Sequence, residues 1–344
     1  MRILSVGNFS NYGISNTCLH RHWALKKIGD VDSIDTTAKR NYKRQRIRHL
    51  LFRNGLPIYL KDFNFINRKI VDKCKEKKYD IIWIDKGILI SKETLLTIKS
   101  LNRSSKIVSY SPDNMALRHN QSENYLTALP YYDCVFTNKS YILKDLYKIG
   151  AQQVKFVNNS FESTFHYPRK LSEEDRRKFG GDVGFIGSWE KERCESILYL
   201  VNNGIKVTVF GGGKWNDYKS YHPNLKIKKG LFSEEYSKAL QAFKISLCFL
   251  RKMNYDLQTT RSVEIPACGG FMLAERTEEH IAMFTEDEEA AYFGTNKELL
   301  EKCRFYLANS YLRNQVAKNG TKRCTISGYS NEMTIKEMLY SIIK

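Results

Sequence analysis

The chain has 344 residues, 42% of them hydrophobic, and a formal net charge of +19 at pH 7. This length suits two α/β domains of ordinary size better than one compact core. No run of about 18 apolar residues occurs, and the N-terminus reads directly as a strand, so we expect a soluble, cytoplasmic protein without a signal peptide. The eight cysteines include no Cys-x-x-Cys pair, which argues against a zinc site or a disulfide framework.

Short β-rich apolar runs alternate with helical patterns throughout the chain, which predicts parallel sheets connected by crossover helices. A stretch of almost only charged residues over 170–178 indicates a linker, and we place the domain boundary near residue 170. The predicted domains are therefore 1–170 and 171–328, followed by a terminal segment over 329–344. The predicted strands include 3–6, 81–84, 107–110, 134–136, 154–157, 183–186, 207–210, 245–249 and 270–274.

The positive charge is concentrated between Lys39 and Arg53, where seven Lys or Arg residues occur without an acidic residue. Ile47, Leu50 and Leu51 share one helical face in this segment. Three interpretations are open: a basic amphipathic helix on anionic lipid, contact with nucleic-acid phosphates, or a solvated helix or loop over the N-terminal core.

The most informative segment places two carboxylates around a predicted strand-to-helix turn. The apolar run 245–250 predicts a buried parallel strand, and 260–267 suits the first turns of a helix. Asp256 then lies at the carboxyl end of the strand, where open α/β sheets bind ligands, and Glu264 lies about two turns further on. A diphosphate there would meet free helix N–H groups, and Glu264 could accept hydrogen bonds from a ribose. The alternative is a helix-capping Glu264 and a solvated Asp256.

Cations accompany these carboxylates. Arg261 falls in the first turn of the predicted helix, where a cation opposes the helix dipole unless an anion is present, and this favours a role in phosphate binding. Lys191 and Arg193 follow the strand 183–186 in a loop that starts at Gly187 and Ser188; the alternative for both is a surface charge at a helix start.

Glycines and threonines complete the donor-side candidates. The glycine triplet ending at Gly213 follows the next strand and could wrap around a nucleotide. Thr259 directly precedes the predicted helix, and Thr260 begins it.

In the first half, polar residues follow several predicted strands. Asp113 lies in a turn rigidified by Pro112 and could orient an acceptor hydroxyl or take its proton, and His119 could do the same near neutral pH. Asp85 follows the strand 81–84, and Asn8 with its neighbour Phe9 follows the first strand. The alternative for all of them is that they only stabilise ordinary turns of the backbone.

The segment around Asp256 and Glu264 resembles the glycosyltransferase-like domain of the CgeB (spore maturation protein) group, within the GT-B glycosyltransferases. Related retaining families position the donor with a Glu-x7-Glu signature, and Asp256 and Glu264 match its two ends, with Asp in place of the first Glu. The resemblance extends over 183–193, 298–320, 80–87 and 110–114, and so covers nearly the whole chain.

This resemblance implies an α/β protein with the GT-B fold, in which two Rossmann-like domains face each other across a cleft. It implies that 329–344 crosses back onto the first domain and that Arg193, or Lys191 in its place, neutralises the leaving diphosphate. Together with the residues singled out above, the donor-binding candidates are Gly187, Ser188, Lys191, Arg193, Gly213, Asp256, Thr259, Thr260, Arg261 and Glu264; those on the acceptor side are Asn8, Phe9 and Asp85, and the catalytic candidates are Asp113 and His119.

The sequence thus predicts a glycosyltransferase that moves a sugar from a nucleoside diphosphate to a bacterial surface glycan or its lipid-linked precursor, with retention of configuration. We expect it to be peripheral on the inner face of the membrane through 39–53. No metal or other cofactor is expected, because GT-B enzymes usually offset leaving-group charge with cations and helix N-termini. The alternatives are glycosylation of a modified DNA base and a non-catalytic sugar-nucleotide or glycan-binding protein. The joint presence of Arg193, Arg261 and Glu264 argues against the last.

Overall fold

The structure is a computed structural model that describes residues 1–10, 16–37 and 43–343, except for the side chains of 43–46. Within these ranges the chain divides into two compact units. Unit 1 contains the N-terminal strand, Asn16–Asn158 and the last helix from Glu332 onward, and unit 2 contains Asn159–Asn331. None of the described helices is long and apolar enough to span a membrane.

Unit 1 contains a parallel six-stranded sheet with the strand order β2-β1-β3-β4-β5-β6. Its strands are β1 (Arg2–Gly7), β2 (Asp30–Asp35), β3 (Ile81–Asp85), β4 (Lys106–Ser111), β5 (Cys134–Thr137) and β6 (Val154–Phe156). Its helices before the boundary are α1 (Thr17–Ile28), α2 (Lys43–Arg53), α3 (Ile66–Glu76), α4 (Lys92–Leu101), α5 (Glu123–Ala128) and α6 (Leu143–Lys148).

Unit 2 repeats this architecture with the strand order β12-β11-β10-β7-β8-β9, again entirely parallel. Its strands are β7 (Gly181–Ile186), β8 (Val207–Phe210), β9 (Leu225–Lys228), β10 (Phe243–Cys248), β11 (Met272–Glu275) and β12 (Ala291–Phe293). Its helices are α7 (Glu173–Phe179), α8 (Lys191–Asn202), α9 (Ser233–Ala242), α10 (Arg261–Ala267), α11 (Glu278–Met283), α12 (Asn296–Ala308) and α13 (Ser310–Ile326).

Both faces of the unit 1 sheet are buried, which explains why its central strands read as continuous apolar runs. Along β3, Ile82 and Ile84 face one core cluster, and Ile81 and Trp83 face another. The last helix, α14 (Asn331–Ile343), covers the second face with Ile335, Met338, Leu339 and Ile342, which recur at helical spacing.

The predicted α/β class with parallel sheets is confirmed, but the units divide at 158/159 and not near residue 170. Asn159 already belongs to unit 2, since its backbone N–H donates to Gln258 Oε1 at 2.8 Å. The charged stretch that indicated a linker forms α7, with Glu173, Glu174 and Asp175 in its first turn and basic residues in its last. This arrangement complements the helix dipole, so the charges stabilise a helix.

Candidate functional site

The predicted donor-side residues gather at the carboxyl edge of the unit 2 sheet. β7 and β10 are parallel neighbours, so the loops that follow them leave the sheet at the same edge. Gly187 follows β7, and a Cβ atom at this position would lie 2.9 Å from Arg261 Nη2 and 2.7 Å from the Phe185 ring. The absence of a side chain at 187 therefore makes room for the Arg261 guanidinium.

Arg193 and Arg261 converge on one aromatic ring. Each guanidinium carbon lies 5.8 Å from the centroid of the Phe185 ring. Arg261 Nε donates to the Ile186 carbonyl at 2.8 Å, and Arg193 Nη1 donates to the Ser188 carbonyl at 3.2 Å. Burial and then the neighbouring Arg261 charge lower the pKa of Arg193, as expected for a cation held beside another cation.

The charge around this arginine pair is unbalanced. Glu190 Oε1 lies 3.4 Å from Arg193 Nη1 and 3.4 Å from Arg251 Nε, so this single carboxylate serves two arginines and Arg261 adds a third positive charge. Arg193 is 6% exposed, and its buried Nε has no hydrogen-bond partner among the residues that the structure describes. An unsatisfied charged donor of this kind is costly, and an anion with two negative charges would complement the cluster.

Glu264 lies in the first turn of α10 and is held by two side chains that sequence reasoning missed. Tyr236 donates its hydroxyl hydrogen to Glu264 Oε2 at 2.6 Å, and burial together with this carboxylate raises the Tyr236 pKa well above its ordinary value. His166 Nε2 lies 3.9 Å from Glu264 Oε1. Because His166 Nδ1 accepts from the Glu162 N–H at 3.1 Å, the neutral ring carries its proton on Nε2, toward Glu264.

The hydrogen bonds of Glu264 distinguish its two predicted roles, an acceptor for ribose hydroxyl groups and a helix cap. Its Oε2 bonds to a side chain of α9, and among the described residues its carboxylate does not cap a helix N–H. The carboxylate is thus fixed in orientation, 9% exposed, and retains acceptor capacity for a hydroxyl group.

Three further predicted donor-side residues lie in the loop between β10 and α10. Asp256 is half-buried in the loop from β10 to α10, directly after Tyr255, which adopts a left-handed conformation with φ of 53°. Thr259 donates its N–H to Ser262 Oγ at 3.0 Å, and the Thr260 carbonyl accepts from the Glu264 N–H at 2.9 Å, so both residues shape the start of α10.

Two further predicted donor-side residues, Gly213 and Lys191, lie in open surroundings. A Cβ atom on Gly213 would contact nothing within 4 Å, although its φ of 62° favours glycine. Lys191 points away from the arginine cluster: its side chain is 75% exposed and pairs with Glu195 at 3.8 Å. The structure thus offers no support for Lys191 as a substitute for Arg193, because a solvated i,i+4 pair on a helix surface holds it elsewhere.

A buried chain of hydrogen bonds holds the start of α10 in place through Ser262. His280 Nδ1 donates to the Glu275 carbonyl at 2.6 Å, which leaves Nε2 as the acceptor for the Ser262 hydroxyl at 2.7 Å. Burial lowers the pKa of His280, so the ring is neutral. Sequence offered no signal for this pair, because His280 is 18 residues beyond Ser262 and on another helix.

In unit 1, the predicted acceptor-side residues follow strands of its sheet, but two of them are already engaged. Asp85 accepts two hydrogen bonds from Arg21, at 2.7 and 2.8 Å, and the two side chains are only 5% and 8% exposed. Arg21 thus occupies both oxygens of Asp85, and a direct contact of Asp85 with an acceptor stays a prediction. Asn8 Oδ1 accepts from the Ser10 N–H at 3.0 Å and organises its own loop, and the ring of Phe9 stacks on His22 at 4.3 Å between centroids.

The two catalytic candidates differ in their surroundings. Asp113 forms an ion pair with Lys86. Burial opposes ionisation of Asp113, but the charges of Lys86, Arg53 and Lys139 prevail and lower its pKa below 3.8. A carboxylate with a lowered pKa is a weak base, so Asp113 is better suited to orient an acceptor hydroxyl than to remove its proton. His119 is half-buried in the short turn Arg118–Asn120.

No cluster of three or more His, Cys, Asp or Glu side chains able to hold a metal ion occurs among the described residues.

Residues 192–340 match the family model described as Glycosyl transferase-like. Anabaena HepE in complex with UDP and glucose has a TM-score of 0.65 at 13% identity, covering 99% of this chain and 100% of that one. Sucrose-phosphate synthase from Thermosynechococcus elongatus has a TM-score of 0.66 at 14% identity, covering 99% and 98%. No curated protein matches the chain.

A third structure, the E. coli trehalose-6-phosphate protein bound with UDP-2-fluoro glucose, has a TM-score of 0.65 at 12% identity and covers 100% of this chain and 99% of that one. These likenesses confirm the predicted GT-B fold. The domain match over 192–340 agrees with the predicted enzyme class, a glycosyltransferase. The finer resemblance to the CgeB group stays a prediction.

Proposed function

We propose that this protein transfers a sugar from a uridine diphosphate donor to a hydroxyl group of a glycan or lipid-linked acceptor. The observation that carries the proposal is the pair Arg193 and Arg261, two guanidinium groups beside one ring, of which Arg193 has a buried Nε without a hydrogen-bond partner among the described residues. UDP as the donor nucleotide is supported by HepE, which binds UDP-glucose.

The transfer breaks the bond between the anomeric carbon and the diphosphate oxygen, and the acceptor hydroxyl oxygen forms the new bond to that carbon. Negative charge accumulates on the leaving diphosphate, where fixed cations stabilise it most. Arg193 and Arg261 supply these cations without movement, since each is already anchored to a backbone carbonyl. Glu264 accepts from the ribose hydroxyls, and Asp256 takes the position of the first carboxylate in a retaining arrangement.

The acceptor proton leaves the hydroxyl oxygen during the transfer. With retention, the departing diphosphate oxygen is a suitable receiver, because Asp113 is held ionised by Lys86 and is a weak base. Asp113 then orients the hydroxyl group, and His119 is the second candidate for that role.

We further propose that α2 brings the enzyme to an anionic membrane surface where a lipid-linked acceptor resides. Ile47 and Leu50 are 60% and 62% exposed on this helix, next to Arg48 and Arg53, whereas Phe52 is buried. Exposed apolar side chains among cations are typical of a helix that lies in a lipid interface. This pattern favours lipid over nucleic acid, which binds through phosphate contacts and needs no apolar face. Lys39–Tyr42 of the predicted basic segment lies outside the described residues.

Binding of UDP, UMP and uridine to the full chain tests the donor assignment. We expect Arg261→Gln to weaken UDP strongly and uridine little, because its partner is phosphate. Arg304→Gln is the matched control, since Arg304 also donates to a backbone carbonyl in unit 2, that of Asn203 at 3.1 Å, but on the surface. Equal losses for UDP and uridine, or equal effects of both substitutions, would refute the diphosphate role. Release of glucose from UDP-glucose then separates an enzyme from a non-catalytic binding protein.

A further inference from the structure

The segment that connects β11 to α11 holds the loop between β10 and α10 at more than one point. The Glu275 carboxylate accepts from the Leu250 N–H at 2.8 Å, at the start of this loop. The Thr277 hydroxyl donates to the Leu257 carbonyl at 2.6 Å, further along the loop. Because β10 and β11 are parallel neighbours, the loop and the connecting segment leave the sheet at the same edge. Residues 275–280 therefore support the loop that leads into α10.

His280 extends this support to the first turn of α10. Its Nδ1 lies 2.6 Å from the Glu275 carbonyl, which can only accept, so the neutral ring carries its proton on Nδ1. Nε2 then accepts from the Ser262 hydroxyl at 2.7 Å, and Ser262 Oγ accepts in turn from the Thr259 N–H at 3.0 Å. His280 and Ser262 are both 0% exposed. Each hydrogen atom in this buried chain of bonds thus has a defined acceptor.

The start of α10 depends on this chain of bonds because its usual cap is missing. Thr260 stands directly before the helix, a position where a threonine hydroxyl commonly accepts from a backbone N–H. Within the described part of the chain, however, the Thr260 side chain makes no capping hydrogen bond. Ser262 accepts the Thr259 N–H instead, and His280 fixes the direction of the Ser262 hydroxyl.

The two donor-side residues of α10 follow the position of this turn. Arg261 directly precedes Ser262, and Glu264 lies two residues beyond it. Arg261 fits closely against the loop after β7, since a Cβ atom on Gly187 would lie 2.9 Å from its Nη2. A small displacement of the turn would therefore change where both the guanidinium and the carboxylate point.

We propose that His280 is a positioning residue of the donor site, which holds the first turn of α10 so that Arg261 meets the diphosphate and Glu264 meets the ribose. The inference rests on the proposed transfer function and adds a residue that acts through Ser262. The role requires an acceptor at the Nε2 position. A single buried hydrogen bond contributes little net stability, but a fully bonded buried network gives its members one defined arrangement.

Two substitutions of His280 separate the roles of its two nitrogen atoms. In His280→Gln the amide oxygen can replace Nε2 and accept from Ser262, whereas in His280→Asn the amide N–H can replace Nδ1 and donate to the Glu275 carbonyl. We expect His280→Asn to weaken UDP binding about tenfold, because the Ser262 hydroxyl loses its acceptor, and His280→Gln to weaken it at most about threefold. Titration calorimetry on the full chain measures both affinities. A residue that only stabilises the fold would give equal losses.

Ser262→Ala tests the same bond from its other end, and Ser5→Ala is the matched control. Ser5 Oγ lies 3.0 Å from His22 Nδ1, so Ser5 also belongs to a buried serine–histidine pair, but in unit 1. We expect Ser262→Ala to weaken UDP binding about tenfold and Ser5→Ala to leave it unchanged, although both substitutions lower the unfolding temperature. Because Ser262→Ala removes a single oxygen atom, it decides the question if the His280 variants do not fold.

Equal UDP affinity in His280→Gln and His280→Asn, or in Ser262→Ala and Ser5→Ala, would overturn the proposal. Amide hydrogen exchange of the ligand-free chain separates this failure from a failure of the transfer function. Over residues 259–264 we expect faster exchange in His280→Asn than in His280→Gln, and equal exchange would also overturn the role of His280. If the unmodified chain does not bind UDP but the exchange differs in this way, the transfer function is wrong and His280 still positions α10.

Discussion

The carboxyl edges of the two sheets handle charge in different ways. In unit 2, Arg193 and Arg261 are anchored by neutral backbone carbonyls, and Glu190 is the one carboxylate among the described residues that pairs with Arg193. In unit 1, Arg21 is fully engaged by Asp85, and Lys86 is bonded to Asp113. A carbonyl holds a guanidinium group in place without neutralising its charge. A carboxylate holds the group and also neutralises the charge. The unit 2 edge is therefore prepared for a strongly charged ligand, whereas Arg21 and Lys86 at the unit 1 edge are each paired with a carboxylate.

The largest effect should follow from removing the uncancelled charges of unit 2. We expect the double variant Arg193→Gln with Arg261→Gln to lose UDP affinity by about 100-fold or more, because each arginine contributes charge-assisted hydrogen bonds worth about 1.5–3 kcal/mol. Calorimetry with UDP and with uridine measures the loss. A uridine affinity that falls as far as that of UDP would mean that the site had collapsed, and the comparison of the two edges would then have no support.

A smaller change is expected at the unit 1 edge from Asp113→Asn. This variant keeps the shape but loses the charge that holds Lys86, so we expect kcat to fall about tenfold or more while UDP affinity stays unchanged. Because the Asp113 pKa is lowered below 3.8, the carboxylate is ionised throughout the neutral range.

The pH dependence of the rate provides a second check on Asp113. Protonation of Asp113 on acidification should not reduce kcat/KM until the pH falls to the region of 3.8 or below. A step near neutral pH that disappears in Asp113→Asn would show that this residue acts as a base with a raised pKa, contrary to the electrostatics of its surroundings.

The exposed face of α2 tests a further difference between the units. Replacing Ile47 and Leu50 by Gln should weaken binding to anionic vesicles about tenfold, because two largely exposed apolar side chains no longer enter the lipid. Leu96 and Leu101 on α4 of the same unit are 46% and 38% exposed and provide the matched control. Equal vesicle binding by both double variants would remove α2 as a membrane contact.

The smallest effect concerns the orientation of Glu264. Tyr236→Phe removes one hydrogen bond to a carboxylate that stays in place, so we expect UDP affinity to fall only about threefold to tenfold. The control is Tyr306→Phe, which removes a similar bond to Asp287 at 2.8 Å elsewhere in unit 2. An unchanged affinity in Tyr236→Phe would show that Glu264 needs no positioning partner.

Sequence reasoning succeeded where residues near in sequence determine the structure. The run 245–250 predicted β10, and Arg261, which was predicted in the first turn of a helix from 260, is the first residue of α10. β2 has the sequence Asp-Val-Asp-Ser-Ile-Asp and β9 has Leu-Lys-Ile-Lys; both are edge strands and too polar or too short to stand out. A strand buried on one side only does not produce a continuous apolar run.

The partners of the site residues were beyond prediction because the fold alone brings them together. Tyr236 reaches Glu264 across 28 residues, and Arg21 reaches Asp85 across 64. The sequence around Asp85 gave no sign that a distant arginine would occupy both of its oxygens. The sequence thus identified candidate residues at strand ends. Whether their side chains are free to bind a ligand depends on contacts between helices and strands that lie far apart in the sequence.

A crystal structure of the protein with UDP tests the central claim most directly. We expect the diphosphate at the carboxyl edge of unit 2, with a phosphate oxygen within hydrogen-bonding distance of Arg193 Nε, the donor that has no partner among the described residues. Arg261 should contact the same diphosphate, and the ribose should lie against Glu264. A diphosphate bound to Lys86 and Lys139 in unit 1, with Arg193 Nε still unbonded, would contradict the assignment of donor and acceptor edges.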